Sequence, residues 1–172
     1  MSPIQNNHFC QFIPCKLFSF AQPAWWFQRA AFVAGTISMR ALFNNTTAKA
    51  FSVPVIVLSS PTQLTGSRLI SFGLDYQITT QPVDNFTPVI YRVTRGADGS
   101  PYSLTSLPFT ADSNHDTAEK CSVVARHRME LTITSPPWID KDQFVSVYIS
   151  FNSRNGTVLE LLAAFANFYW RD

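Results

Sequence analysis

The sequence predicts an all-β protein built as a sandwich of two sheets. Several segments alternate apolar and polar side chains, and few charged residues or glycines interrupt them. In the clearest segment, Ile70 to Thr79, every second side chain is apolar, which is the period of a strand with one buried face. A chain of 172 residues is long enough to form one hydrophobic core. No Gly/Ser-rich or charged linker divides it into two domains. We therefore expect a single sandwich domain.

The composition indicates that the protein works as part of an assembly. Charged residues make up 14% of the chain and aromatic residues another 14%, including 15 Phe. A monomer of this size has difficulty burying so much apolar surface, so we expect partner proteins to cover some of it. The formal net charge of +2, without an arm rich in Lys and Arg, is too small to indicate a nucleic-acid-binding protein on electrostatics alone.

The first strands follow a segment without a regular period. Residues 1–28 are rich in aromatics, and we expect them to be irregular and to precede a sandwich domain at residues 29–172. Gly35 to Phe43 alternates and ends in turn-forming Asn and Thr residues, which predicts a strand. Phe51 to Leu58 is apolar on both faces, as in a strand covered twice, but Pro54 cannot donate a ladder hydrogen bond and therefore predicts a sheet edge or a bulge there.

A short strand and a long loop are predicted in the middle of the chain. Val89 to Thr94 has the composition of a strand. Gly96 to Lys120 is rich in Ser, Asp, Asn, Pro and Gly and has no apolar period, which predicts a long exposed loop. We expect this loop to protrude from the outer surface. Its candidate surface residues are Gly96, Asp98, Gly99, Asp112, Asn114 and Asp116.

Three further strands are predicted after this loop. Val123 to Ile133 alternates and places His127 on its apolar face, where a hydrogen-bonded core histidine is favoured over a general base. Phe144 to Phe151 forms the next strand, and Asn155-Gly156 predicts a hairpin turn. Val158 to Trp170 has a stretch with helical propensity, but its aromatic end and its place among strands favour a strand.

The sequence does not indicate an enzyme, a cofactor or a metal site. The chain has three cysteines, Cys10, Cys15 and Cys121. An odd number of cysteines argues against a disulfide framework and fits a reducing compartment. Two of them lie near His8, but a second pair of metal ligands is missing. The histidines do not accompany a nucleophile-elbow motif, and phosphate-binding glycine loops are absent.

Neither secretion nor membrane insertion is predicted. Sequons that would accept glycans in a secreted protein occur at Asn44, Asn45, Asn85 and Asn155. Prolines and Lys16 interrupt the apolar character of the first residues, and no cleavage site typical of a signal peptide follows. No stretch reaches the ~20 apolar residues of a membrane span.

Two stretches of the chain resemble coat proteins of picorna-like viruses. Pro23 to Met39 is similar to the segment in which aromatics and an Arg lead through Gly35 into a core strand. Met129 to Trp138, with its Ser-Pro-Pro-Trp turn and the strands that follow, is similar to the C-terminal half of such a jelly roll. The resemblance covers roughly residues 23–172. It is strongest to the secovirids, plant-virus relatives of the comoviruses, and within them to the cheravirus-like members with three separate coat proteins.

This resemblance implies a structural capsid protein with a single jelly-roll β-sandwich of the picorna-like virus capsid type. The subunit would assemble with two other coat proteins in the host-cell cytoplasm into a pseudo-T=3 icosahedral virion around positive-strand RNA. Low charge and abundant aromatics fit such extensive subunit contacts. If residues 29–43 correspond to an early-middle strand of the roll, the first strands are either abbreviated or completed by a partner chain.

Contact with the genome is expected to be weak and non-specific. Trp25, Trp26 and Arg29 combine stacking surface with a charge, which favours single-stranded RNA if they face the particle interior. The alternative is ordinary core aromatics beside a capping Arg. Two other function classes stay open: a secreted or surface sandwich that binds carbohydrate or a receptor, and a cytosolic interaction module.

Overall fold

A computed structural model describes residues 8–20, 28–29, 38–55, 67–96, 100–140 and 142–170. In chain order the strands are β1 His8–Pro14, β2 Ser19–Phe20, β3 Gln28–Arg29, β4 Met39–Leu42, β5 Ala48–Val55, β6 Ser67–Thr79, β7 Asp84–Thr94, β8 Ser103–Leu107, β9 Phe109–Ala111, β10 Arg126–Ile133, β11 Trp138–Ile139, β12 Gln143–Asn152 and β13 Val158–Trp170. A 3-10 turn at Cys15–Leu17 and the helix α1 at Ala118–Ser122 complete these elements.

The strands form two antiparallel sheets in the order of a jelly roll. The first sheet runs β3-β4-β13-β6-β10-β9, with β1 paired to β13 and β11 paired to β6. The second sheet runs β2-β5-β12-β7-β8. The chain changes sheet between β1 and β2, β2 and β3, β4 and β5, β5 and β6, β6 and β7, β8 and β9, β11 and β12, and β12 and β13. The resulting paths β4-β13-β6-β10 and β5-β12-β7-β8 give the double Greek key of a jelly roll. The predicted β-sandwich is confirmed.

The core lies between the sheets, where the alternation of the sequence places it. Along β10, every second side chain is buried, beginning with His127 and continuing through Met129, Leu131 and Ile133. From the second sheet, Val145 belongs to the same core and is fully buried. The prediction of a strand rather than a helix at residues 158–170 is confirmed, because β13 lies between β6 and the β1/β4 side of the first sheet.

The prediction of an irregular segment at residues 1–28 is wrong for its described part. β1 pairs with β13 from His8–Tyr169 to Pro14–Ala163, and its Ile13 lies in the core. The short β4 pairs only with residues 158–161 of β13. The rest of β13 on that side is therefore free to pair with β1. Because β1 is only seven residues long and half of its side chains are polar or exposed, its alternation was weak in the sequence.

The prediction of one long loop from Gly96 to Lys120 is also wrong. This segment contains β8, β9 and most of α1. β8 is the end strand of the second sheet and buries only Leu107, so its residues show no apolar period. A three-residue strand such as β9 is too short to show one.

Two turn regions differ from the sequence-based predictions. β7 begins at Asp84 rather than at Val89, and it includes Pro88 because β8 pairs only with residues 90–94 and leaves that side of β7 open. Asn155-Gly156 does form a turn, with φ of 85° at Gly156, but it connects strands of different sheets and is not a hairpin.

The edge position that Pro54 predicted is confirmed for the described residues. Pro54 pairs with Ser146 of β12 on one side, while β2 pairs with β5 only at Ser52 and Phe51. The missing N–H of Pro54 therefore interrupts no ladder there. Among the described residues, no helix has the length and apolar character needed to cross a membrane.

The substitution Gly73→Ala is expected to destabilise the first sheet. A Cβ atom at Gly73 would lie 1.9 Å from the ring carbon Cζ of Phe165, so the ring must leave its position across β6. Overpacking of this kind costs about 1–3 kcal/mol. The free energy of unfolding in urea measures it. In a Phe165→Ala background the same substitution should be nearly neutral, and an undiminished cost there would contradict the steric explanation.

Candidate functional site

The sequence-predicted RNA-contacting residues lie mostly outside the described part. Trp25 and Trp26 are not among the described residues. Arg29 belongs to β3, where its backbone pairs with Met39 of β4. The structure thus brings Arg29 to the end of the first sheet, and the RNA contact stays a prediction.

The predicted outer-loop residues are separated by the structure. Asp98 and Gly99 lie outside the described residues, and Gly96 lies two residues after the end of β7. Asn114 and Asp116 are exposed, in the turn between β9 and α1. Asp112 differs from them, because its carboxylate points inward and accepts hydrogen bonds from three groups. Whether this region lies on the outside of a particle stays a prediction.

Large apolar side chains are exposed on the outer face of the second sheet. We call Tyr102, Leu104, Phe144 and Tyr148 the outer patch; their exposed fractions are 63%, 62%, 40% and 37%. Leu104 of β8 and Phe144 of β12 both pair with Val93 of β7, so one apolar row crosses three strands. The rings of Tyr102 and Phe144 meet edge to face, with centroids 6.3 Å apart.

On its side toward the middle of the strands, the outer patch borders an uncharged row on the same face. The next row, toward the middle of the strands, consists of Ser106, Tyr91 and Ser146. Because these side chains carry no charge, nothing in the two rows attracts phosphate. A face of this kind is suited to apolar contact with a protein or with the apolar face of a sugar ring.

A second aromatic surface lies on the first sheet. His8, Tyr169 and Arg68 pair in one row across β1, β13 and β6, and Trp138 of β11 continues it. The Arg68 guanidinium lies 4.1 Å from the centre of the Trp138 ring. We call these four residues the aromatic strip. It places a positive charge beside stacking surface, as the sequence suggested for Trp25, Trp26 and Arg29.

A chain of hydrogen bonds links two buried histidines. Both Asp112 oxygens lie 2.9 Å from His115 Nδ1, and His115 Nε2 lies 3.2 Å from His127 Nδ1. His127 Nε2 in turn lies 3.0 Å from the carbonyl oxygen of Val123. Both imidazoles are buried, with exposed fractions of 8% and 6%. We call Asp112, His115 and His127 the histidine cluster.

Aromatic and thiol groups enclose the histidine cluster. The Tyr76 ring stacks on His127 at 4.5 Å and on Phe86 at 4.7 Å. The Tyr76 hydroxyl donates to the carbonyl of Cys121 at 2.8 Å, and the Cys121 thiol donates to the carbonyl of His115 at 3.4 Å. α1 is thereby attached to the first sheet through its backbone and its side chains.

The environment shifts the acidities of this cluster. Burial lowers the pKa of His127, more than its hydrogen bond to the Val123 carbonyl raises it, and His115 lowers it further. Burial raises the pKa of Asp112, but hydrogen bonds from the backbone N–H groups of Glu130 and Asn114 and from His115 outweigh that and hold it below its ordinary value. Burial, with the nearby Asp112 charge, raises the pKa of the Cys121 thiol to about 11. Cys121 is thus a protonated, unreactive thiol.

The prediction that His127 is a hydrogen-bonded core residue is confirmed. Its partner His115 was missed, because it lies in the segment that was predicted to be a loop. The spacing of Asp112 and His115 at i and i+3 was the available signal, and it was read as exposed polarity. Within the described residues, no group of three or more His, Cys, Asp and Glu is placed to hold a metal ion.

No family model matches the chain, and no curated protein matches it. Among solved structures, it is similar to TmCBM61 in complex with β-1,4-galactotriose, at a TM-score of 0.45 and 11% identity over 88% of this chain and 86% of that chain. It is also similar to a family 11 carbohydrate-binding module from Clostridium thermocellum, at 0.34 and 8% over 92% and 88%. At these TM-scores the likenesses carry no argument about function.

Proposed function

We propose that this protein is a structural coat protein that assembles with two other coat proteins into a pseudo-T=3 icosahedral shell around positive-strand RNA. The observation that carries the proposal is the outer patch. Soluble monomers rarely expose contiguous apolar patches of more than roughly a few hundred Å², and larger patches mark interaction sites. An assembly that covers Tyr102, Leu104, Phe144 and Tyr148 removes this surface from water.

The chemistry of the outer patch supports a protein partner. Aromatic side chains are enriched at the centres of protein interfaces, and charged Lys, Glu and Asp are depleted there. Each sheet exposes apolar or aromatic groups at one end: the outer patch on the second sheet and the aromatic strip on the first. Two surfaces on opposite faces allow each subunit to contact more than one neighbour.

The fold and the sequence together favour a capsid role over other protein-binding roles. Double-sheet jelly rolls are used by viral capsid and lectin domains, among others. The resemblance of residues 23–172 to secovirid coat proteins favours the capsid use. The aromatic strip supports a weak contact with single-stranded RNA, since Arg68 supplies a charge and Trp138 and Tyr169 supply rings.

Sedimentation of the protein from its native context tests the proposal. On a sucrose gradient, the protein should migrate with isometric particles that contain two further coat-sized chains and nuclease-protected RNA. Negative-stain microscopy of those fractions identifies the particles. Recovery only at monomer size, without protected RNA, would overturn the proposal.

A secreted or surface carbohydrate-binding module is the second candidate function. The exposed rings of Tyr102, Phe144 and Tyr148 on one sheet face favour it, because the apolar face of a sugar ring stacks on aromatic side chains. A glycan array with the purified chain separates the two candidates. Binding to soluble glycans that is lost in Tyr148→Ala, in a protein that does not sediment as particles, would support this second function.

A further inference from the structure

The end strand β8 of the second sheet has an open edge. Among the described residues it pairs with β7 alone, and the side chains of residues 103–106 are exposed. We propose that this edge pairs antiparallel with β8 of a second copy of the chain, across a two-fold axis at Leu104, and so joins the second sheets of both copies into one. The pairing needs only this chain and is separate from the shell with two other coat proteins.

β8 lacks the features with which proteins protect a sheet edge. Unpaired N–H and C=O groups at an edge attract further strands, and natural edges are short or carry Lys, Pro or a bulge. Among the described end strands, β1 contains Pro14, and β2, β3, β9 and β11 have at most three residues. β8 has five residues, without a charge or a proline, and its register with β7 continues without a bulge. Of these edges it is the best suited to accept another strand.

The first sheet does not block access to this edge. Thr105 pairs with Arg92 of β7, which pairs in turn with the core residue Val145, so Thr105 lies on the inner side of the second sheet. Thr105 is nevertheless exposed. The first sheet therefore leaves this side of β8 uncovered, and a second copy can reach the backbone of the strand.

The side-chain pattern of β8 selects the register. Opposed residues of an antiparallel pair point to the same face, so the outer faces of the two copies join only if outward residues meet outward residues. With Leu104 opposite its own copy at the axis, Ser103 lies opposite Thr105. Tyr102 then lies opposite Ser106. Apolar side chains meet at the axis and hydroxyl groups meet on either side of it, which are favourable cross-strand pairs.

The two neighbouring registers are less favourable. An axis at Thr105 places Leu104 opposite Ser106, so Leu104 has no apolar partner. An axis at Ser103 places Pro101, which has no N–H group, opposite Thr105 and extends the pairing beyond the end of β8. Of the three, the axis at Leu104 alone keeps the leucines together and the central pairs within the strand.

The same axis joins the outer patches of the two copies. Within one copy, the row Phe144, Val93 and Leu104 crosses three strands. The axis places the same row of the second copy in line with it, because Leu104 lies opposite Leu104. Opposed side chains in neighbouring strands have Cβ atoms about 5 Å apart and are in contact. The pairing therefore removes apolar surface of Leu104, which is 62% exposed, from water.

The arginines of the neighbouring strand do not oppose the pairing. Arg92 lies on β7, and the exposed Arg95 follows its last residue. From the spacing of strands and residues, each of them would lie roughly 15–20 Å from its own copy across the axis. This is about twice the Debye length of about 8 Å at physiological ionic strength, so their repulsion is screened. β8 itself is uncharged and meets its copy without repulsion.

Disulfide trapping tests the pairing and its register. In a Cys10→Ser background, which removes the exposed thiol, Cys15 and Cys121 stay buried. The Cα atoms of directly opposed antiparallel residues lie about 4.5–5.5 Å apart, which a disulfide can span. Leu104→Cys should therefore give a product of twice 19.3 kDa on a non-reducing gel after mild oxidation. Ser106→Cys, on the same face of the same strand, is the matched control: its copies would lie roughly 14 Å apart and should not crosslink.

Charge pairing at the axis is a second test, without oxidation. The contact is small, so the purified chain should form a transient dimer, visible by analytical ultracentrifugation at about 100 μM. Leu104→Lys or Leu104→Asp alone should weaken this dimer about tenfold or more, because like charges then lie opposite each other. An equimolar mixture of the two variants should restore dimers.

Three results would each overturn the self-pairing of β8: a chain that stays monomeric at this concentration, equal crosslinking of Leu104→Cys and Ser106→Cys, or a mixture of the charged variants that stays monomeric. All three measurements use the purified chain by itself. They are therefore independent of whether the protein is recovered in particles from its native context.

Discussion

Leu104→Asp is expected to abolish particle assembly while the subunit stays folded. Leu104 is 62% exposed on β8, so the folded monomer keeps the carboxylate in water and should lose about 0.5 kcal/mol or less. In an assembled shell the same carboxylate would be buried without a partner, which costs about 3 kcal/mol or more at each contact. A loss of that size weakens each contact about a hundredfold or more.

The sucrose gradient measures whether particles assemble, and a thermal melt measures whether the subunit stays folded. Thr132→Asp is the matched control, because Thr132 is exposed on the outer face of the other sheet, away from the outer patch. Its particles should form normally. Particles of normal yield in Leu104→Asp would show that the outer patch is not buried between subunits.

Tyr76→Ala is expected to have the largest effect on stability. Its ring is fully buried and stacks on both Phe86 and His127, so truncation leaves a cavity in the core between the two sheets. Loss of a buried aromatic ring costs about 3–5 kcal/mol, which is a large fraction of the stability of one domain. Urea unfolding measures the loss, and labelling of Cys121 should accelerate with it.

Tyr76→Phe separates the hydroxyl from the ring. This variant keeps both stacking contacts and removes only the donor to the Cys121 carbonyl, so it should cost about 1–3 kcal/mol. Equal losses in Tyr76→Phe and Tyr76→Ala would mean that the hydroxyl, and not the packing of the ring, carries the effect.

The elements that the sequence predicted correctly are those with one buried face. β6, β10 and β12 each present one face to the core over eight or more residues, and the side chains on that face are mostly apolar. Their period of two leaves little choice of register, since a slip of one residue would turn the buried set outward. The same reasoning placed His127 inside before its partner was known.

The missed elements are end strands and residues with distant partners. β8 has one neighbour and exposes four of its five side chains, so its sequence carries no pattern to find. β1 depends on β13, and the position of His115 in the core depends on His127, and neither contact is encoded in the local sequence. The outer patch was anticipated only as an excess of aromatics. Its position required the register of β7 with β8 and β12.

The pairing of the first described strand with the last has a consequence for synthesis of the chain. His8 lies opposite Tyr169, and β4, β1 and β6 all use β13 as their neighbour. Until β13 has left the ribosome, the first sheet lacks the strand that joins its two halves. Folding of this sheet must therefore wait until β13 has been synthesised, and a chain halted before residue 158 would present unpaired strand edges to chaperones or to other nascent chains.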